Sequence, residues 1–249
     1  TQWSSSAASD VYKRQYVSYM YKKLQRKGVL EAECNKLVKT DRVTWGSCMV
    51  ACGDADGMVA GNTRHYGATV DKLMQSIGSR DDEIVFGLCV FVNRGRTIVI
   101  ADTNVIEYPT SEELASIAKS SARVAKLFGL DPKIAFLSHS TFGQPETDRT
   151  KRISKAVEML KNEKVDFLFD GEMQPDVALN NKYKGTYSFS EIVGSANVLV
   201  MPSIHAAAIS IKMLKELSRG KVFGPLLIGL AQPIEAVSYT HLRAHETIA

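Results

Sequence analysis

The sequence lacks the features of a membrane, secreted or zinc-binding protein. No apolar run approaches the roughly 18 to 20 residues that a membrane span requires, and residues 1–15 contain no apolar core of a signal peptide. The 4 cysteines have apolar neighbours and no CxxC spacing, which favours core packing in a reducing compartment. We therefore expect a cytoplasmic protein without a disulfide framework.

The usual motifs for binding nucleotides and nucleic acids are also missing. Neither a GxGxxG fingerprint nor a phosphate-binding Walker loop occurs, so nothing in the sequence binds NADP by a recognisable route. The formal net charge of +4 is dispersed, and its densest basic stretch, at 22–27, is typical of a solvated helix face. We expect neither nucleic acid nor a membrane as a partner.

The acidic and histidine residues do not form a metal-binding pattern. Asp54 and Asp56 resemble part of a calcium loop, but the remaining ligands of that pattern are absent, so they are expected to fix a turn. His65, His139 and His205 have no metal-ligand spacing, and we expect structural or cleft-lining roles for them rather than catalytic ones. We predict no metal in this chain.

Both ends of the chain differ from its middle. Residues 5–15 (SSAASDVYKRQ) and 237–247 (VSYTHLRAHET) resemble translated sequencing-library adaptors, although polar tails are also common in natural proteins. We interpret 1–15 and 237–249 as artefact. The natural part is then 16–236, which we expect to be truncated at both ends.

The order of predicted elements indicates an α/β fold. Alternating and helical periodicities, with capping and turn residues between them, predict one hairpin from 84–92 to 97–101 and a well-capped helix over 110–128. Further strands are predicted at 58–61, 133–137, 165–169 and 197–201, and further helices at 16–39 with a break at Gly28, 43–52, 66–77, 149–162, 175–179 and 204–217. This alternation predicts a three-layer α/β/α sandwich with a mainly parallel sheet and ligands at the carboxyl ends of its strands.

Polar motifs follow two of these strands. The loop 138–143 (SHSTFG) presents hydroxyls and backbone N–H groups before a helix, which suits phosphate oxygens, although a plain cap and turn would look the same. Asp170 and Glu172 follow the strand 165–169 and could orient cationic or hydroxyl groups of a ligand, or could cap a helix. Both alternatives stay open at this point.

Taken in order, these motifs resemble the phosphotransacetylase and phosphotransbutyrylase family. That family has a leucine-serine-x-serine-threonine-x-glycine loop, an aspartate-glycine-glutamate turn, an alanine-asparagine-valine strand and a glycine-proline segment, here at 137–143, 170–172, 196–198 and 224–225. Residues 141–145, 171–180 and 198–205 look more like the C-terminal domain of bacterial NADP-dependent malic enzymes. The resemblance implies an isocitrate-dehydrogenase-like architecture of two α/β domains with a central cleft, a homodimer or higher oligomer, and coenzyme A or acetyl-CoA as ligand.

The resemblance also implies a set of ligand-binding residues: Ser138, Ser140, Thr141, Gly143, Asp170, Glu172, Asn197, Pro202 and Arg64. No catalytic residue is implied, since the family's serine-arginine pair and following aspartate would lie beyond the glycine-proline segment, where the adaptor-like sequence begins. Asp71 falls where the acetyltransferases have an arginine, and its negative charge would repel phosphate. Arg64 lies seven residues earlier and could compensate.

Three functions follow from the resemblance. The first is a regulatory domain that binds acetyl-CoA and controls a malic enzyme domain in cis, with NADP and a divalent metal expected only in that missing N-terminal half. The alternative is an active phosphate acetyltransferase, which converts acetyl-CoA and phosphate to acetyl phosphate and CoA. The second alternative is a dimerisation scaffold.

Overall fold

The computed structural model describes residues 3–61, 64–81 and 83–237 of the chain. The chain divides into two compact units. Unit 1 consists of Thr1–Asp82 and Leu230–Ala249, and unit 2 consists of Glu83–Gly229. Within the described ranges, no helix is both long enough and apolar enough to cross a membrane.

Unit 1 is mostly helical. Its helices are α1 (Trp3–Leu24), α2 (Glu31–Thr40), α3 (Arg42–Ala51) and α4 (Tyr66–Ser76), and its two short strands, β1 (Met58–Ala60) and β8 (Ile234–Ala236), pair in parallel. The predicted break at Gly28 is confirmed, because this glycine ends a short 3-10 turn in the left-handed conformation, with φ 80°.

The cysteines of unit 1 pack in its core, as predicted. Cys34 and Cys48 are buried there beside Tyr16 and Met20, and all four cysteines of the chain are free. Burial raises the pKa of the Cys48 thiol to about 12, so the group stays protonated and behaves as a small apolar side chain.

The proposed boundary at residue 15 lies inside α1, which continues across it. Side chains 11–15 are exposed or half-buried, whereas Tyr16 is buried. At the other end, 238–249 lie outside the described residues. Both artefact boundaries stay predictions.

Unit 2 contains a six-stranded sheet in the order β5-β4-β6-β3-β2-β7. Its strands are β2 (Phe86–Asn93), β3 (Arg96–Ala101), β4 (Lys133–Leu137), β5 (Leu168–Met173), β6 (Val198–Val200) and β7 (Lys221–Ile228). The strands β5, β4, β6 and β3 are parallel, while β2 pairs antiparallel with both β3 and β7. The predicted hairpin is therefore β2–β3, and its turn residues Arg94 and Gly95 have φ 48° and 76°, as a type I′ turn requires.

Helices cover both faces of this sheet. Helices α5 (Ser111–Leu127) and α6 (Asp148–Glu163) pack on one face, and α7 (Pro175–Leu179) and α8 (Ile204–Leu217) pack on the other. Along β4, Ile134 and Phe136 belong to the core shared with α5 and α6, whereas Ala135 belongs to the core shared with α7 and α8. The three-layer α/β/α sandwich is confirmed.

The position of β5 corrects the sequence-based expectation. The strand was predicted at 165–169 with Asp170 to Gln174 as a turn, but it spans Leu168–Met173, and Asp170 pairs with Ala135 of β4. In a sequence, acidic residues such as these usually indicate a turn, because buried strands are mostly apolar. They are accommodated in the strand because donors from other segments satisfy them.

Candidate functional site

The carboxyl ends of β4 and β6 border a cavity of about 390 Å³ in unit 2. The lining side chains come from the segments after these strands, from the first two turns of α6 and α8, from the start of α7, and from Tyr108 before α5. They are Tyr108, Leu137, Ser138, His139, Arg149, Arg152, Ile153, Pro175, Met201, Pro202, Ser203, His205, Ala206 and Ser210. None of these residues is acidic, so the lining carries positive charge only.

The loop 138–143 is organised around the carboxylate of Glu172, which is 1% exposed. One carboxylate oxygen accepts hydrogen bonds from the Ser140 hydroxyl at 3.1 Å and the Gly143 amide at 2.7 Å. The other accepts from the Ser154 hydroxyl of α6 at 2.5 Å. Glu172 therefore joins β5, the loop and α6.

Most of the backbone N–H groups of this loop, which were expected to bind phosphate, have acceptors within the chain. The amide of Ser138 donates to Met173, that of Thr141 to Gln144, and that of Phe142 to the Glu172 carbonyl. The Gly143 amide is taken by the Glu172 carboxylate. The Glu172 carboxylate thus accepts two donors of the loop, and the role of this loop in ligand binding stays a prediction.

Asp170 and Thr141 also bind within the protein. Asp170 is buried and accepts from the amides of Gly171 and Glu191, both at 2.9 Å. The Thr141 hydroxyl accepts from the amide of Gln174 at 3.2 Å. Both side chains hold loops in place, which corresponds to the structural alternative for this motif.

The remaining predicted ligand residues are dispersed. Pro202 lines the cavity together with Ser138. Asn197 lies at the amino end of β6. Its side-chain oxygen accepts from the Lys133 backbone amide and its side-chain nitrogen donates to the Asp131 carbonyl, each at 2.7 Å. Arg64 belongs to unit 1. No catalytic role was predicted for any of them.

Arg64 is engaged in an ion pair. Its guanidinium lies 2.6 Å from the carboxylate of Asp41, which also caps α3 by accepting from the Thr44 amide. Burial alone would raise the pKa of Asp41, but the hydrogen bond from Arg64, and then that from Thr44, hold this pKa below its ordinary value.

Two arginines at the cavity, Arg149 and Arg152, were missed in the sequence. Both lie in the first turns of α6, where the helix dipole disfavours cations. The basic run 148–152 (DRTKR) is therefore unusual at the start of a helix. This run is the sequence feature that could have indicated the two arginines. Cations were expected only in unit 1 or beyond the glycine-proline segment.

Two histidines, His139 and His205, line the cavity and have different contacts. The carbonyl of His139 accepts from the Gln174 side chain at 2.9 Å, which fixes the loop. The ring of His205 lies 3.6 Å from the Glu107 carboxylate and 6.2 Å from the Tyr108 ring. Both line the cavity, as expected, and the described part of the chain holds no cluster of metal-ligating side chains.

Comparison with known proteins assigns the family. Residues 4–245 match the family described as phosphate acetyl/butaryl transferase. The chain belongs to this family. It is 46% identical over 223 residues to an NADP-dependent malic enzyme of Rhizobium meliloti (strain 1021), covering 90% of this chain and 29% of that protein.

Other members of the family are smaller proteins. The chain is 33% identical over 216 residues to a phosphate acetyltransferase of Bacillus subtilis (strain 168), covering 86% of this chain and 67% of that protein. A solved phosphotransacetylase from Streptococcus pyogenes superposes with a TM-score of 0.83 at 28% identity, over 91% of this chain and 69% of the other. The predicted resemblance is confirmed, and the chain spans less than a third of the malic enzymes that it matches.

Proposed function

We propose that this chain is a regulatory domain that binds acetyl-CoA within an NADP-dependent malic enzyme. The observation that carries the proposal is the state of the acidic residues beside the cavity. Glu172 is saturated by donors of the protein, and Asp170 is bound to backbone amides. The cavity lining thus combines positive charge with the absence of any carboxylate among its residues.

Binding and chemistry make different demands on such a cavity. Transfer of an acetyl group to or from coenzyme A requires a base that generates the thiolate, together with cations that offset the developing charge. Binding requires only the complementary surface and charge. A site with arginines meets the second demand. The first demand would fall to His139 or His205, because no carboxylate lines the cavity.

The relation to malic enzymes supports the regulatory role. Identity to the Rhizobium meliloti malic enzyme is 46%, against 33% to the Bacillus subtilis acetyltransferase. We propose that NADP, a divalent metal and malate bind in a separate malic enzyme domain, and that both units of the present chain belong to a homo-oligomer. Acetyl-CoA bound here would then report the level of this metabolite to that domain.

The test combines a binding and a turnover measurement. Calorimetric titration of the chain with acetyl-CoA is expected to show binding, while an assay of acetyl phosphate formation shows no turnover. In a protein that joins this chain to a malic enzyme domain, acetyl-CoA is expected to change the rate of malate oxidation with NADP. Absence of acetyl-CoA binding would contradict the proposal and favour a scaffold.

A second candidate, phosphate acetyltransferase, is favoured by the two arginines. They supply cations of the kind that acyl transfer to phosphate needs, and His139 or His205 would have to act as the base. Turnover near the roughly 10 per second typical of enzymes would establish this candidate instead. Loss of that turnover in His139→Ala or His205→Ala would identify the base.

A further inference from the structure

The wall of the cavity contains two guanidinium groups that form no ion pair with a carboxylate of the described residues, although the more distant Glu113 attracts Arg152. Arg149 is exposed and Arg152 is half-buried, and both line the cavity. Neither forms an ion pair with a carboxylate of any residue that the structure describes. Other basic side chains nearby, such as Lys151 and Lys155, each have a glutamate partner.

Arg152 has an unsatisfied donor. Its Nη2 group donates to the Pro202 carbonyl at 2.8 Å, while its Nε–H is buried without an acceptor. A buried donor without a partner destabilises the folded protein unless a ligand supplies an acceptor. Burial, and then the positive charge of Arg149, lower the pKa of the Arg152 guanidinium.

Arg149 is placed against the same cavity by an aromatic contact. Its guanidinium carbon lies 6.0 Å from the ring centroid of Tyr108, which also lines the cavity. Three features of this wall are therefore unfavourable without a ligand: the two arginines repel each other, the Nε–H of Arg152 has no acceptor, and both cations lie near the positive end of the α6 dipole. An anion bound between the arginines would offset the first two.

We propose that Arg149 and Arg152 bind a phosphoryl group in this cavity. Two guanidiniums match the charge of a dianion, and their planar donors match phosphoryl oxygens. The hydroxyl of Ser138 lies on the same wall and supplies a further polar contact. The identity of the carrier rests on the proposed function, in which the phosphoryl group belongs to coenzyme A.

The experiment uses the full chain and three probes: coenzyme A, inorganic pyrophosphate and pantetheine, which has no phosphate. Binding is measured by calorimetry for the wild-type chain and for Arg149→Ala, Arg152→Ala and the double variant. In each single variant, the affinity for coenzyme A and for pyrophosphate is expected to fall by about 10-fold or more, because a charge-assisted hydrogen bond is lost. Binding of pantetheine is expected to stay unchanged.

Two further variants test whether the loss of affinity comes from the charge and shape of the arginines or from any loss of positive charge on α6. Lys151→Ala removes a positive charge from the same turn of α6 without touching the cavity lining, so affinity should change by less than about 2-fold. Arg152→Lys keeps the charge but loses the planar fork, and we expect only partial recovery. Circular dichroism melting verifies that each variant is folded.

The outcomes distinguish this inference from the proposed function. If coenzyme A binds and the arginine variants bind it as tightly as wild type, the inference is wrong and the function stands. If coenzyme A fails to bind but pyrophosphate binds in an arginine-dependent way, the inference stands and the function fails. Absence of binding by both phosphate-bearing probes would overturn both.

Discussion

The loop 138–143 and the first turns of α6 are neighbours in sequence but differ in how their polar groups are satisfied. In the loop, the amides of Thr141 and Gly143 and the hydroxyl of Ser140 all have acceptors within the chain. At the start of α6, Arg149 has no carboxylate partner among the described residues, and Arg152 retains a buried free Nε–H.

This difference separates a scaffold from a binding surface. Polar groups that are fully bonded inside a protein stabilise it but have little left to offer a ligand, whereas unsatisfied charged groups lower stability unless a ligand binds. The motif that identifies the family is therefore largely bonded within the protein. We propose that the arginines, which no motif marks, are the binding groups.

The contrast between the loop and the start of α6 is tested most strongly by replacing Glu172. Replacement by Ala leaves the Gly143 amide and the hydroxyls of Ser140 and Ser154 without their acceptor. We expect the free energy of unfolding to fall by about 3 kcal/mol or more, measured by urea denaturation. Glu172→Gln keeps one acceptor oxygen, so its free energy of unfolding should fall by only about 1 kcal/mol.

An exposed carboxylate provides the control for this change. Glu158 lies on the outer side of α6, and Glu158→Ala should alter the unfolding free energy by less than about 0.5 kcal/mol. The scaffold interpretation would be wrong if Glu172→Gln left stability unchanged yet abolished coenzyme A binding. Such a result would place Glu172 in contact with the ligand.

The second prediction concerns Asn197, which the family resemblance assigned to the ligand. Its side chain connects β6 to the start of β4 through the Lys133 amide and the Asp131 carbonyl. We expect Asn197→Ala to lower the unfolding free energy by about 1–2 kcal/mol and to leave coenzyme A affinity unchanged. Asn162→Ala, at an exposed position of α6 without a described side-chain hydrogen bond, serves as the control.

Unchanged stability with weakened binding would reverse this assignment. Asn197 would then belong to the ligand site despite its place at the amino end of β6. The paired measurement is decisive because a scaffold residue and a ligand residue differ in which of the two quantities they change.

Much of the fold could be predicted because its signals are local. The strand Lys133–Leu137 and the helix Ile204–Leu217 occur at their predicted bounds. The well-capped helix predicted over 110–128 is α5, and its cap is the Thr110 side chain, which accepts from the Glu113 amide at 3.2 Å. In each case the deciding residues lie within a few positions of one another.

The errors arise where the deciding contacts are distant in sequence. Asp170 and Glu172 were read as a turn, because the donors that allow them inside a strand come from Glu191 and Ser154. Nothing near 170–172 reveals these partners. The cavity likewise depends on the packing of α6 and α8 after β4 and β6, which periodicity alone does not give.

The last prediction compares Arg64, which is paired, with the unpaired arginines of unit 2. Arg64→Met removes the 2.6 Å contact with Asp41, and we expect a loss of about 0.5–1 kcal/mol at pH 7, as for other partly exposed pairs. Arg42→Met, at the exposed start of α3, removes an arginine without a described partner and is the control.

The loss at Arg64 should depend on pH in a defined direction. The folded pKa of Asp41 lies below its ordinary value because of the bonds from Arg64 and Thr44, so the pair stabilises the fold above the unfolded pKa of about 3.9 and this contribution disappears as pH falls through the folded pKa. Wild type and Arg64→Met should therefore differ in urea denaturation at pH 7 and converge near pH 2, while coenzyme A affinity at pH 7 is the same for both. A gap that persists at low pH would show that packing, not the ion pair, is the cause. A fall in affinity of 10-fold or more without a change in stability would instead make Arg64 a ligand residue, and the contrast between paired and unpaired arginines would no longer identify the site.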